Sequence, residues 1–327
     1  MDDILSLLHH CELCPRKCGI DRLKGERGFC GAGDDAVISH YGPHFGEEPP
    51  ISGTRGSGNI FFSPCNLRCI FCQNHQISHR TLGSKVPVEG LVDIFFELER
   101  AHVHNINLVS PTPYLPQIAS AISAARSKGI SIPFIYNTNA YESADALRRL
   151  RGLVDIYLPD FKYWNDKAGD RLSSAPHYRA TAQAAILEMK SQVGNLDSGE
   201  RPATRGLLVR HLVLPGMVAA TEQIVRWVRA HLGKDTFVSL MAQYHPVHRA
   251  HELPLLRRSI RQEEYERAMQ ACTKAGLDNV FVQELESASL FLPDFEREEP
   301  FRRNCSEKQR VKSGEWRTAR TAMSAKR

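Results

Sequence analysis

Cys65, Cys69 and Cys72 stand at spacing C-x3-C-x2-C in the run Phe61-Phe62-Ser63-Pro64-Cys65-Asn66-Leu67-Arg68-Cys69-Ile70-Phe71-Cys72. A 4Fe-4S cluster held by protein normally takes four thiolates. No fourth cysteine follows in the same loop, so this set leaves one iron with an open position. An open metal position marks chemistry, whereas a closed shell marks structure. At this cysteine frequency such spacing arises by chance in under ~1% of chains of this length. The competing reading is a structural zinc or a closed cluster that borrows a distant cysteine, and no adjacent ligand completes one.

A second set lies upstream, where Cys11-x2-Cys14-x3-Cys18 is followed by Cys30. Four thiols close a shell, so either tetrahedral zinc or a fully ligated iron–sulfur cluster fits. A closed cluster could pass electrons to the open one. Zinc would only fold a segment too short for a core of its own. Spacing does not separate the two metals, and His9 and His10 are alternative ligands. Seven of the nine cysteines fall within the first 72 residues. Such clustering favours metal ligation over a disulfide framework in a chain whose thiols stay reduced. Cys272 reads as a core residue of a helix, and Cys305 lies near the C-terminus.

The elements that position these groups alternate. Short β-like runs occur at 60–62, 106–109, 133–136, 154–158, 207–214, 236–241 and 279–282. Helical periodicity covers 87–101, where Val88, Leu91, Phe95 and Leu98 recur at helical spacing behind Pro87, and then about 116–128, 143–150, 178–192, 219–232 and 262–275. Strand alternating with helix implies parallel strands with crossover helices. The expected architecture is α/β, a partial (β/α)6-type TIM-like barrel. Its active groups sit on loops after strand C-termini, and the cysteine loop directly follows the first strand. The expected division is a Cys-rich segment at 1–50, the barrel at 51–290 and a basic tail at 291–327. Residues 36–58 are rich in turn formers and read as a lead-in, and 194–206 as a polar surface loop.

Composition excludes several classes. No apolar run approaches the roughly 18 to 20 residues of a membrane span, and the acidic Met1-Asp2-Asp3 start does not resemble a signal peptide, so the expected setting is cytoplasmic. The net charge of +5 is misleading, because residues 301–327 carry +7 and leave about −2 on the rest. The basic character belongs to a tail without hydrophobic periodicity, read as disordered, and the body carries no nucleic-acid signature.

An open iron needs an exogenous chelator, and the amine and carboxylate of S-adenosylmethionine supply one. Electron transfer into its sulfonium breaks the S–C5′ bond and leaves a 5′-deoxyadenosyl radical, chemistry that belongs to the cofactor. Phe71 could lay an aromatic face beside the adenine. The motif Cys65-x3-Cys69-x-Phe71-Cys72 resembles that of the radical S-adenosylmethionine superfamily. Further blocks resemble the pyruvate formate-lyase activating enzyme family and its homologues. These include His44–Gly53, Asn105–Thr112, Tyr136–Asn139, Asp155–Lys162, Leu208–Gly216 and Met241–Pro246.

The resemblance implies a 4Fe-4S cluster on Cys65, Cys69 and Cys72, with S-adenosylmethionine bound beside Phe71, Asn137, Asp160, Arg210 and His245. Arg210 would meet the cofactor carboxylate and His245 the adenine. Where the superfamily carries Gly-Gly-Glu for the methionyl amine, this chain has Ser110 and Thr112 as weaker substitutes, and Asp160 and Lys162 match an Asp-x-Lys pair. It further implies an electron donor such as flavodoxin or ferredoxin and, as substrate, a glycine Cα of a partner glycyl-radical enzyme. Radical modification of a small molecule, peptide or RNA is the nearest rival, and a non-catalytic iron–sulfur carrier is a third reading.

Overall fold

The computed structural model describes residues 4–197, 199, 201–285, 292–301 and 317–318. Most of the expected tail, with Cys305, lies outside the described residues. Strand β1 (Ala36–His44), helix α1 (Pro49–Ser52), strand β2 (Ser57–Phe62), helix α2 (His75–Ser78) and strand β3 (Ser84–Val86) come first. Six strand–helix alternations follow. They are α3 (Val88–Arg100) and β4 (Ile106–Val109), then α4 (Leu115–Ser127) and β5 (Phe134–Thr138), then α5 (Ala144–Arg148) and β6 (Ile156–Pro159). Next come α6 (Asp166–Ser173), α7 (Tyr178–Val193) and β7 (Gly206–Leu212), α8 (Val218–Leu232) and β8 (Phe237–Met241), and α9 (Gln262–Ala275) with β9 (Val280–Val282). A two-residue strand, β10 (Arg317–Thr318), pairs antiparallel with β9.

Strands β2, β4, β5, β6, β7, β8 and β9 lie parallel in that order, so each crossover helix returns the chain to the next position. The sheet curls, because Gln73 after β2 donates to Gln243 O after β8 across 2.6 Å. This is the expected partial TIM-like barrel, six strands from β2 to β8 with a short seventh. The helices bury one face each. In α3, Leu91, Val92, Phe95 and Leu98 face the sheet, Glu89 sits in the first turn and Arg100 in the last, where each favours the helix dipole. Helix α9 ends at Gly276, whose φ of 73° lies in the left-handed region that glycine tolerates.

Inside the barrel, alternate residues stack by height. Ile135, Leu158 and Leu208 form an apolar layer with Ile156 and with Ile51 of α1, all fully buried. One step further along the same strands stand Asn137, Asp160 and Arg210. Period-two alternation thus puts grease below and polar groups above, toward the C-terminal rim.

Three regions depart from expectation. Residues 36–44, read as turn-rich, form β1 antiparallel to β2. Pro43 is tolerated because β3 covers only residues 36–38 of β1, leaving the Pro43 end as a free edge. Helix α6 was not expected; it is short and mostly polar, and it is capped by Asn165, whose side chain accepts from Lys167 N–H. Residues 292–301, within the expected tail, pack on β2, with Phe295 and Phe301 ring centroids 5.3 and 5.2 Å from Phe61. No helix among the described residues is long and apolar enough to cross a membrane.

Candidate active site

A cavity of about 240 Å³ opens at the C-terminal ends of the parallel strands. Its walls take residues from nearly every strand end: the cysteine loop after β2, Val109 and Ser110 after β4, Asn137 on β5, Asp160 and Lys162 after β6, Arg210 on β7, and Met241 and Gln243 at β8. Ser110 holds a φ of 59°, an uncommon conformation for a side-chain-bearing residue that turns the chain sharply at the rim. Pro293 and Phe301 close one side.

Cys65, Cys69 and Cys72 all line this cavity. Each sulfur receives a side-chain hydrogen bond. Asn139 Nδ2 donates to Cys65 Sγ at 3.4 Å, Ser173 Oγ to Cys69 Sγ at 2.9 Å, and Ser78 Oγ to Cys72 Sγ at 3.2 Å. Burial pushes all three thiols up, Cys72 to about 12. Three sulfurs, two buried and that of Cys72 half-buried, each met by a donor and lining one cavity, are what a thiolate-bound cluster needs, since ligation deprotonates them and the donors steady the charge. The residues present therefore fit the group the motif implies.

The loop is held from both sides. Helix α6 accepts from it, with Arg68 N–H to Ser173 O at 3.0 Å and Ile70 N–H to Leu172 O at 2.9 Å. Asn66 donates to Tyr141 O at 2.8 Å and accepts from Asn139 Nδ2 at 2.7 Å. Phe71, 6% exposed, meets Tyr244 edge to face at 5.8 Å, so its ring is fixed before any ligand arrives.

The charged groups form two systems. Lys162 Nζ lies 2.6 Å from Asp160 Oδ2. Burial pulls its pKa down, but the Asp160 carboxylate and the Cys69 sulfur more than offset this and hold the ammonium above its usual range. Tyr178 of α7 fixes both strand-end groups: its hydroxyl donates to Asp160 O at 2.6 Å and accepts from Lys162 N–H at 2.9 Å.

Arg210 behaves differently from the sequence expectation. Its guanidinium is engaged by Glu48, through Nε to Oε1 at 2.9 Å and Nη2 to Oε2 at 2.5 Å, and also by Glu47. Glu48 is fully buried, and Glu47 takes further bonds from Asn59 at 2.7 Å and Asn107 at 3.0 Å. Burial alone would raise the Glu47 carboxyl; Arg210, with smaller help from His44 and Asn59, outweighs it and holds it below the usual range.

Of the residues expected to surround a cofactor, Phe71, Asn137, Asp160 and Arg210 line the cavity, and His245 does not. Ser110 reaches the cavity, whereas Thr112, 1% exposed, donates instead to Glu142 at 2.6 Å. Sequence reading missed Glu47, Glu48, Ser173 and Ser78, and placed Asn139 in a segment facing the cofactor without its bond to Cys65. Glu47 and Glu48 were quoted only within a resembling block, and a buried arginine's demand for carboxylates was the signal that could have found them. Nothing in the primary sequence pairs Ser173 with Cys69, 104 residues away.

The family model described as the radical SAM superfamily matches residues 59–196, from β2 into the loop after α7. The chain is 30% identical over 285 residues to Uncharacterized protein MJ0674 of Methanocaldococcus jannaschii, covering 84% of this chain and 78% of the relative. It is 23% identical over 267 residues to Uncharacterized protein MJ0808 of the same organism, covering 75% and 73%. Among solved structures it is similar to methylornithine synthase (PylB), with a TM-score of 0.48 and 14% identity over 77% of each chain. Matched by that model over the stretch that holds the three cysteines, Asn137 and Asp160, the chain belongs to the radical SAM superfamily.

Proposed function

We propose that this chain binds a 4Fe-4S cluster through Cys65, Cys69 and Cys72 and cleaves S-adenosylmethionine reductively at the barrel rim. The observation that supports this most is the set of three cysteine sulfurs, each with its own donor, on one cavity. When bound, the cluster and cofactor supply one-electron cleavage of the S–C5′ bond and a primary radical that abstracts hydrogen.

The chain's residues hold and exclude. Ser173, Ser78 and Asn139 steady the sulfur charge. Lys162 offers a cation, already anchored on Asp160, to the cofactor carboxylate. Arg210, its fork occupied by Glu48 and Glu47, braces the cavity wall rather than clasping the ligand. Phe71 offers an aromatic surface to the adenine, and Asn137 a neutral polar contact.

For the substrate, the family resemblance supports a glycine Cα of a partner glycyl-radical enzyme. A small molecule is the second reading, supported by Pro293 and Phe301 narrowing one side of the cavity. A cytoplasmic setting, where a flavodoxin or ferredoxin supplies electrons, suits both. A Cys-rich segment at 1–50, a barrel at 51–290 and a basic tail at 291–327 remain part of this proposal, with Pro293 and Phe301 of the tail on the cavity wall.

The test is anaerobic reconstitution with iron and sulfide, then dithionite and S-adenosylmethionine. Formation of 5′-deoxyadenosine and methionine, lost in Cys69→Ala, is the expected result. An intact cluster with no cleavage overturns the proposal. A glycyl radical doublet appearing in a co-purified partner supports the first substrate reading.

A further inference from the structure

The four upstream cysteines converge in space. Cys11, Cys14, Cys18 and Cys30 line one small cavity of about 20 Å³, behind the cysteine loop. None is paired in a disulfide. No histidine or carboxylate shares the lining, so sulfur is the available donor. His9 and His10, alternatives from the sequence, are instead largely exposed beside Asp21 and Glu12. Gly28 is part of the cradle: a Cβ there would stand 2.8 Å from Cys18 Sγ.

Charge points the same way. Arg16 and Arg22 both line this cavity. Arg22 is 1% exposed and donates only to carbonyls, Gly33 O at 2.7 Å and Pro113 O at 2.5 Å. Arg16 donates to Asn66 O at 2.9 Å and Ser174 O at 2.5 Å. Neither makes an ion pair with a carboxylate among the described residues. A buried arginine without an anion is costly, and charges inside proteins are normally paired. A metal centre carrying four thiolates is a net anion and supplies the missing partner.

The choice between zinc and a cluster rests on what adjoins the set, because zinc has no redox chemistry and a closed cluster does.

The two sets touch. Asn66, next to Cys65 in sequence, lines the upstream cavity. Arg68 donates to Cys65 O at 2.7 Å and to Cys30 O at 3.2 Å, so one guanidinium spans both.

We infer that Cys11, Cys14, Cys18 and Cys30 ligate a second, fully closed 4Fe-4S cluster that serves as the electron inlet to the site at Cys65, Cys69 and Cys72. One electron from a low-potential flavin or iron–sulfur protein reduces it and moves on; the donor is oxidised by one electron and no bond changes. The inlet role rests on the proposed function, whereas the site itself does not.

The test is iron, sulfide and zinc content with electron paramagnetic resonance after anaerobic reconstitution. The wild type should bind about eight irons. The triple variant Cys65→Ala/Cys69→Ala/Cys72→Ala should keep about four, with a reduced signal indifferent to added S-adenosylmethionine. The variant Cys11→Ser/Cys14→Ser should keep about four, with a signal the cofactor alters. It should also accept electrons from dithionite as the wild type does, but from reduced flavodoxin at least tenfold more slowly.

One zinc, or no metal, in the folded triple variant overturns the second cluster, and unchanged flavodoxin kinetics overturns the inlet role. Four irons in the triple variant with none in the double variant would sink the proposed function but not this site. If the double variant does not fold, the triple variant still decides the metal, and flavodoxin kinetics on Arg16→Met, which leaves all four thiols in place, decide the inlet. There a slowing of several-fold supports the role, and none refutes it.

Discussion

Glu142 offers a sharp test of the barrel's electrostatics. It is 2% exposed and forms no ion pair among the described residues; Thr112 donates to Oε1 at 2.6 Å, and Thr138 donates to the same oxygen. Burial raises its pKa to about 7, with hydrogen bonds from Thr112, Thr138 and Tyr136 opposing. Between the ordinary glutamate value and about 7, the folded protein therefore holds a proton that the unfolded chain has released. Stability must fall as pH rises through that window and level off above it. At about 1.4 kcal/mol per pH unit, the loss amounts to roughly 3 kcal/mol.

Glu142→Gln keeps an acceptor for both threonines and removes the charge. It should cost little at pH 5 and be more stable than the wild type by about 3 kcal/mol at pH 8. Urea unfolding midpoints at the two pH values, measured anaerobically at equal iron content, give that difference directly. Parallel curves for the two proteins across pH would refute the reasoning and mean that the carboxylate is solvated or paired in solution.

Other outcomes follow from the same contacts. Ser173→Ala removes the 2.9 Å donor to Cys69 Sγ. Losing about 1 kcal/mol of preference for the more negative state should lower the cluster's midpoint potential by on the order of 40 mV in a redox titration, and no shift would discount that bond. Arg210→Met strands two buried carboxylates and should destabilise by about 3–5 kcal/mol in denaturant melts. Adding Glu47→Gln and Glu48→Gln should recover most of that loss, and failure to do so would mean the arginine acts elsewhere. Lys162→Met should weaken S-adenosylmethionine binding to the reconstituted protein about tenfold by calorimetry, roughly 1.4 kcal/mol, and unchanged affinity would remove Lys162 from the ligand.

What the sequence disclosed depended on the range of each signal. The spacing of Cys65, Cys69 and Cys72 is local, so a single loop announces it. The helices from α3 to α9 were legible apart from α6, whose eight residues include only two hydrophobic ones, Ala168 and Leu172. That omission hid Ser173, and with it a donor to the cysteine loop. Strand β1 was obscured by Gly42 and Pro43, residues that read as a turn unless one knows that this end of the strand pairs with β2 and is not reached by β3. Arg210 was found, but its partners lie about 160 positions away, and only the barrel's curvature brings Glu47 and Glu48 beneath it. His245 was placed by analogy of position alone, and it is not among the residues that line the cavity.

The wall formed by Pro293 and Phe301 has a bearing on biosynthesis. Every thiol assigned to a cluster lies within the first 72 residues, whereas this wall is among the last described parts of the chain to leave the ribosome. A nascent protein thus presents both thiol sets to iron and sulfide donors well before the rim is fenced. A release experiment on stalled chains ending near residue 285 would find metal insertion faster than into the finished molecule.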